Sequence, residues 1–550
     1  MTARGKILLT LVILGVVAAG AWRWQDKFRP KTSPGSPTSS VPAPAESAPA
    51  ELVETQTEVP ALAAPAAYQP KDNTVDIELS EYAGYAGLLV VNGGLVPNTN
   101  SLFFKRYGFK LNIKLSEEES WPALNSGTMA ASATTVDVLA VYGKQFQVVV
   151  PAQIGYSRGA DGLVVRREIK RINALKGKIL ATSQFTEAEF FIRYLAQEAG
   201  LSIHALRDLN ESPAAESLNL VFCKDAFAAG DLFARELKQG GQRLAGCVTW
   251  APKTTTVVEQ SGGRAHVLTT SLNLLVVADV LVVNKGFALE HTNLVAGLVS
   301  GLLEGNRMVR DNPAAHLDIL VSAFKWDREQ ARTELTKVHL ANLPENLAFF
   351  SGSIDAAGSF GGIYQSAVYA YGPQLIREPV DADRFMHLRH LKALEASGAF
   401  AEQKIAIKPI RSTSTAAVEG DPLLSKDIRF LFEPNSATLE LKNQDNLQNL
   451  DVIKKLLQVS PGSYVLLRGH VDNSKVEEFR KAGGEPYLRK MALSAIELSK
   501  NRAAEIKRVL LERFPLDPTR IDIVGRGWEE PLGSDSDKNR RVELQWFMVE

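Results

Sequence analysis

The chain has 550 residues, 62 Lys+Arg against 62 Asp+Glu, and 45% hydrophobic residues. At about 100–200 residues per domain it is too long for one core and long enough for three. Zero formal charge speaks against a general nucleic-acid binder, and only two cysteines, Cys223 and Cys247, exclude a disulfide scaffold, an iron–sulfur centre and a Cys-based zinc cluster.

Arg4 and Lys6 precede an uncharged, mostly apolar run from Ile7 to Trp22, and Arg23 and Lys27 follow it. A basic start before an apolar run reads as an export signal. The run is short for a membrane span, which needs about 20 residues, but Trp22 and Trp24 suit an interface. Residues 1–28 are therefore expected to form a signal-anchor with a transmembrane helix. Cleavage at Ala19-Gly20-Ala21 is the alternative. Pro30 to Pro70 holds nine prolines and nine alanines in 41 residues. Such a composition cannot offset the entropy of folding and should stay extended, reaching roughly 120 Å as a tether over 29–70.

From Val75 the pattern changes to short strands alternating with helices, which means α/β architecture. Strands are expected at Val75–Leu79, Lys110–Leu115, Gln147–Ile154, Lys178–Ala181, Asn219–Phe222, Leu244–Trp250 and His266–Thr269. Leu274–Asn284 reads as one long strand or two, and the apolar stretch Leu272–Val283, broken by Asn273 and Asp279, is too short to span a membrane. Helices are expected at Glu187–Ala199, Ala226–Gly240, Leu289–Arg310 and Ala314–Ser322. The run Thr182-Ser183-Gln184-Phe185-Thr186 joins a strand to a helix amino terminus, where free N–H groups and the dipole favour an anion. Ser183 or Thr186 serves equally well as a helix cap. Gly352–Gly372 closes this region or extends it irregularly.

Four motifs in order carry a resemblance over these 300 or so residues. They are Phe104-Lys105-Arg106-Tyr107-Gly108-Phe109, Ala123-Leu124-Asn125-Ser126-Gly127, Ile172-Asn173-Ala174-Leu175-Lys176-Gly177-Lys178 and Val248-Thr249-Trp250-Ala251-Pro252. Residues 71–375 resemble the periplasmic substrate-binding proteins of ABC importers, in the nitrate/sulfonate/taurine and thiamine-precursor branch. The resemblance implies a bilobal type II periplasmic-binding-protein fold, with the chain crossing between lobes at Ile172–Lys178. It implies ligand contact around Tyr82, Gly84, Thr128, Thr182, Ser183 and Trp250, and an ABC permease as partner. A small solute is expected, with anions among the candidates. Glu81 departs from the pattern: it must face away from an anion, or the ligand carries a positive group. Cys223 and Cys247 sit beside neighbouring strands, and either pair or stay buried thiols.

Residues 376–420 read as a connecting segment. A compact domain over 421–550 follows in the order β-α-β-α-β-β, with strands at Ile428–Phe432, Ser463–Arg468, Arg520–Val524 and Arg541–Phe547, and helices at Leu447–Gln458 and Leu493–Phe514. Its motifs Phe432-Glu433-Pro434-Asn435-Ser436-Ala437-Thr438-Leu439, Gly469-His470-Val471-Asp472-Asn473, Leu498-Ser499-Lys500-Asn501-Arg502-Ala503, Gly525-Arg526-Gly527-Trp528 and Asn539-Arg540-Arg541-Val542-Glu543 resemble the OmpA-like peptidoglycan-binding domain, an α/β sandwich. The resemblance implies that Asp472 takes the ammonium and Arg502 the carboxylate of diaminopimelate in the stem peptide, with Asn473 and Arg541 supporting. A fixed anion beside a fixed guanidinium is what a zwitterion needs. Ser474–Ser494 is an insertion relative to that family.

No nucleophilic elbow, phosphate loop or dinucleotide fingerprint is present. Glu81 with Asp137 as paired carboxylates, and Asp383, His387 and His390 as a metal trio, are weak against ordinary structural roles. No catalytic residue, metal or cofactor is assigned. The reading is a non-enzymatic cell-envelope solute-binding protein of an ABC-type uptake system, on the periplasmic side, tethered to the inner membrane and anchored to peptidoglycan. The alternative is a non-transport receptor or structural adaptor linking inner membrane and wall.

Overall fold

The computed structural model describes residues 51–117, 120–272, 274–353, 358–407, 422–433 and 436–547. Strands β1 (Thr74–Leu79), β2 (Lys110–Leu115), β3 (Ala131–Thr135) and β4 (Val148–Ser157) open a first sheet. Next, β5 (Asp161–Arg166), β6 (Ile179–Ser183), β7 (Ser202–Ala205), β8 (Ser217–Cys223), β9 (Leu244–Trp250) and β10 (Ala265–Thr270) build a second. The chain then returns to the first sheet with β11 (Ala278–Asn284) and β12 (Val338–Leu340). The strand orders are β12-β4-β11-β3-β1-β2 and β10-β5-β9-β6-β8-β7. In each lobe a central strand pairs in parallel on both sides, β1 with β2 and β3, and β6 with β8 and β9. Helices cover both faces, so β4, β5 and β11 are buried along their whole lengths. That burial is why their sequences run apolar rather than alternating.

The crossing between lobes differs from expectation. The chain leaves the first lobe between Ser157 and Asp161 and re-enters it between Thr270 and Ala278. Ile172–Lys178 lies inside the second lobe, because β5 before it already pairs antiparallel with β9 and β10. The two crossings touch: the hydroxyls of Ser157 and Ser271 lie 2.5 Å apart. Cys223 and Cys247 are free, buried thiols. Their strands are not neighbours, since β6 pairs with both β8 and β9 and separates them. Two strand spacings are about 10 Å, beyond the reach of a disulfide.

Residues 51–70 correct the picture of an unattached tether. The segment is extended, yet it is bonded to both lobes. Arg235 holds Glu51 in a bidentate pair, and Val53 N–H donates to Phe222 O at 3.0 Å on the second lobe. Leu62 N–H then donates to Gln145 Oε1 at 3.0 Å, and Ala66 N–H to Asn125 O at 3.1 Å, on the first. The expected transmembrane helix is also corrected: among the described residues no helix is long and apolar enough to cross a membrane. Ile7–Trp22 lies outside the described residues.

The last sheet contains β13 (Leu424–Ile428), β14 (Tyr464–Gly469), β15 (Ile521–Gly525) and β16 (Val542–Phe547) in the order β13-β16-β14-β15. Helices Gln444–Val459 and Val476–Arg513 complete it. Its first strand precedes the expected Ile428–Phe432. The backbone of Leu431 is instead satisfied by one side chain, Asn446, which accepts from its N–H and donates to its carbonyl. The Ser474–Ser494 insertion supplies the first part of the long helix, which breaks at Gly483 and Gly484. Gly484 has φ +65°, a conformation a β-carbon disfavours. This domain packs on the second lobe, where Asn173 bonds both N–H and C=O of Ser425.

Candidate functional sites

The two lobes and the segment 51–60 enclose a cavity of about 430 Å³. Two strands begin just after the crossings, and each brings an aspartate to it. Asp161 opens β5 directly opposite Trp250 of β9. Asp279, near the start of β11, stands opposite Thr135 of β3. Tyr85 Oη donates to Asp279 Oδ1 at 3.3 Å, and the Tyr82 ring packs edge-on against Tyr85 at 5.1 Å. Burial pushes the Asp161 carboxyl up to about 6. Burial, and then the charge of Asp161, raises Asp279 further. Glu117 is pushed up to about 7, by burial first and then by Glu81 and Asp225.

Of the residues expected at the ligand, Tyr82, Ser183 and Trp250 line this cavity. Thr182 is buried beside it in β6, Gly84 is packed against the Tyr82 ring, and Thr128 is exposed at the turn after helix Trp121–Asn125. Sequence reasoning missed Asp161, Asp279 and Glu117, whereas Asp225 lines the cavity at the strand–loop junction where open α/β sheets are expected to bind ligands. Glu81 turns aside: its carboxylate accepts from Trp326 Nε1 at 2.6 Å, and its N–H donates to Glu117 Oε1 at 2.7 Å. Part of the hydroxyl-rich turn is satisfied internally, while the buried Thr182 Oγ1 has no hydrogen-bond partner among the described residues. Ser183 and Thr186 hydroxyls bond each other at 2.7 Å, and Phe185 N–H donates to Glu189 Oε2 at 2.6 Å.

The second site is a cavity of about 700 Å³ in the last domain, lined among others by Asp472, Arg502, Arg540 and Arg541. Arg502 projects from the long helix, lies 5.0 Å over the Phe432 ring, and donates to Ser436 O at 3.2 Å. Asp472 follows β14 and accepts from the N–H and hydroxyl of Ser474 at 2.9 and 2.7 Å. Burial would raise its carboxyl, but Ser536, Ser474 and the charge of Arg540 hold it below the usual range. Asn473 accepts from Asn539 Nδ2 at 3.2 Å, and Arg541 donates to Asp427 Oδ1 at 3.0 Å and to Glu530 O. Both therefore brace the loops, and Arg541 also faces the cavity.

Two further titratable clusters, one in the last domain and one against the first lobe, are structural. His470, Glu530 and Glu543 lie within ligating distance of one another, but Arg468 takes both carboxylates, Glu543 at 2.5 Å and Glu530 at 2.8 Å. His387 and His390 have ring centroids 5.5 Å apart, and Arg389 Nε lies 3.3 Å from His390 Nε2. A guanidinium there occupies the nitrogen a metal would need.

Residues 431–544 match the model of the OmpA family. No curated protein matches the chain. Among solved structures, the aliphatic sulphonate binding protein SsuA of Escherichia coli is similar at 15% identity, covering 58% of this chain and 97% of its own, with a TM-score of 0.43. The alkanesulfonate-binding SsuA of Xanthomonas axonopodis pv. citri, bound to MOPS, gives 13% identity, 58% and 100% coverage and 0.44. The nitrate-binding NrtA of Synechocystis gives 12%, 62% and 92%, and 0.43. The chain joins two six-stranded α/β lobes to a smaller four-stranded domain that matches the OmpA family.

Proposed function

We propose that the protein is a periplasmic, cell-envelope solute-binding protein that grips peptidoglycan through its last domain and serves an ABC-type uptake system. The observation that carries the wall half is the pairing of Asp472 with Arg502 around one cavity in the OmpA-like domain. An ammonium goes to Asp472 and a carboxylate to Arg502, so the zwitterionic end of diaminopimelate is held at both poles. Arg502 suits a carboxylate because Phe432 and the Ser436 carbonyl already fix its plane while leaving most of its donors for a ligand. Asn473 and Arg541 hold the surrounding loops in place. For the other half, the enclosed cavity between hinged lobes supports capture of a small solute by lobe closure.

Sedimentation of the protein with purified sacculi tests the wall contact. Wild type should co-sediment, while Asp472→Ala and Arg502→Ala should each stay in solution. Equal retention of all three would remove these contacts. Native mass spectra before and after denaturation test the cleft, since a carried solute appears as an excess mass lost on unfolding. The adaptor reading gains where that mass is absent, because the segment 51–60 then serves as the cleft's own occupant.

A further inference from the structure

We propose that the solute of the cleft is a small organic ammonium ion that also offers a hydrogen-bond acceptor, and is not a sulfonate, nitrate or other anion. The inference rests on the solute-binding reading above and names the ligand class for that site.

Charge comes first. The cavity is lined by six carboxylates, Glu54, Glu117, Asp161, Glu187, Asp225 and Asp279, against one ammonium, Lys224. Lys224 lies 3.7 Å from Asp225 and is neutralised locally. Lys253, whose charge acts on Glu81, bonds Asp231 at 2.8 Å. An anion entering here would lose its hydration and meet, among the described lining residues, no unpaired cation, which is strongly unfavourable.

The usual anion sites of such a fold are already filled. Helix Glu187–Glu198 begins at the cavity, but its own Glu189 accepts the Phe185 N–H, and Arg193 pairs with Glu189 at 2.7 Å. Helix Ala226–Gln239 is capped by Asp225, which accepts from Ala228 N–H at 2.6 Å. Each amino terminus therefore carries a carboxylate where a ligand anion would bind.

Two further observations point to a ligand. Thr134 Oγ1 and Trp250 Nε1 line the cavity at 2% and 9% residue exposure, and neither has a hydrogen-bond partner among the described residues. A buried indole N–H left unmade is unfavourable and only donates, so the ligand must supply an acceptor. Tyr82, Tyr85, Tyr142 and Trp250 line the same space, an aromatic composition that suits an alkylammonium. A metal ion is a poor fit. Among the described residues the one set of three carboxylate or histidine ligands close enough to share an ion is in the other domain. The cleft carboxylates are too dispersed for a point charge and match an extended cation.

Isothermal titration of the full chain with ethanolamine, 4-aminobutanol, glycinamide and lysinamide, each an ammonium with a hydroxyl or amide oxygen as acceptor, and with taurine, methanesulfonate and nitrate, tests this. At least one amine should bind saturably, with Trp250 fluorescence changing in step. Glu117→Gln, chosen because its position is less enclosed than Asp279, should weaken that amine at least threefold, and Asp279→Asn at least tenfold. Lys224→Gln should tighten it severalfold, a gain that loss of folding cannot mimic. Saturable binding of an anion, with no amine binding, overturns the cation assignment and leaves the solute-binding reading standing. Binding of no probe, together with no carried mass in native spectra, overturns both.

Discussion

The two cavities of this chain have opposite electrostatics. The cleft gathers six carboxylates around one lysine, while the cavity of the last domain sets Arg429, Lys475, Arg502, Arg540 and Arg541 against Glu433 and Asp472. A chain with 62 charges of each sign looks neutral in total and is sharply divided in space. Net charge therefore says little about ligands once a chain has several sites. The basic cavity keeps its acid ionised by hydrogen bonds, and the acidic one pushes its acids towards neutrality by burial.

The largest effect should come from a change that destroys one cavity and spares the other. A β-carbon on Gly469 would lie 2.1 Å from the Ser499 carbonyl oxygen, which is helix backbone and has nowhere to go. Gly469→Ala should destabilise the last domain by roughly 3 kcal/mol and abolish sacculus retention. Solute binding by the lobes should persist, and titration calorimetry on the variant reads that directly. Loss of both activities would show that the two regions fold as one unit.

The next effect is a pH dependence of opposite sign in the two regions. Burial lifts Asp137 to about 7, as it does Glu117. A carboxyl raised in the folded state keeps a proton that the unfolded chain has released. Its stabilising share is full below about pH 4 and is lost as pH rises through about 7. Glu543 behaves the other way: burial would raise it, but His470, Gln545 and Arg468 hold it down to about 2. Its share is full above about pH 5 and lost as pH falls through about 2. Hydrogen exchange resolved by region should show the lobes loosening from pH 4 to 7.5, and the last domain loosening from pH 5 to 2.5. Asp137→Asn should flatten the first slope by roughly 2–4 kcal/mol, and Glu543→Gln the second. Parallel slopes in both regions would remove the contrast.

Much of the fold was legible because periodicity and punctuation survive in local sequence. Lys110–Leu115 and Leu244–Trp250 lie where alternation and apolar runs put them, and Ala226–Gln239 starts at its aspartate cap and stops at Gly240. The Asp472 and Arg502 cavity was legible too, because its parts sit in motifs. The acidic cleft was not, since Asp161 and Asp279 are 118 positions apart and meet only through the hinge. One local signal existed: Asp279 interrupts an otherwise apolar strand that is buried throughout. A carboxyl kept in such a place is usually there for a partner. The crossing was misplaced because the antiparallel pairing of β5 with β9 is a long-range fact that no local pattern carries.

The segment 51–70 gives the smallest and most specific effect. Its composition carries no hydrophobic period, so nothing local announced that it would dock. It docks through main chain, which any extended sequence can offer: Val53 N–H to Phe222 O, Lys224 N–H to Glu51 O, and Gln184 exchanging two bonds with the Gln56 backbone. Glu54 and Gln56 thereby become part of the cleft wall. A strap fixed to both lobes should slow ligand exchange more than it adds to stability, because opening must break it. Arg235→Ala releases the Glu51 anchor, a part-exposed ion pair worth about 0.5–1 kcal/mol. Stopped-flow traces of Trp250 fluorescence should then show solute leaving severalfold faster, with the melting midpoint nearly unchanged. An unchanged rate would mean that the lobes open without lifting the strap, and that the cleft is entered from its other side.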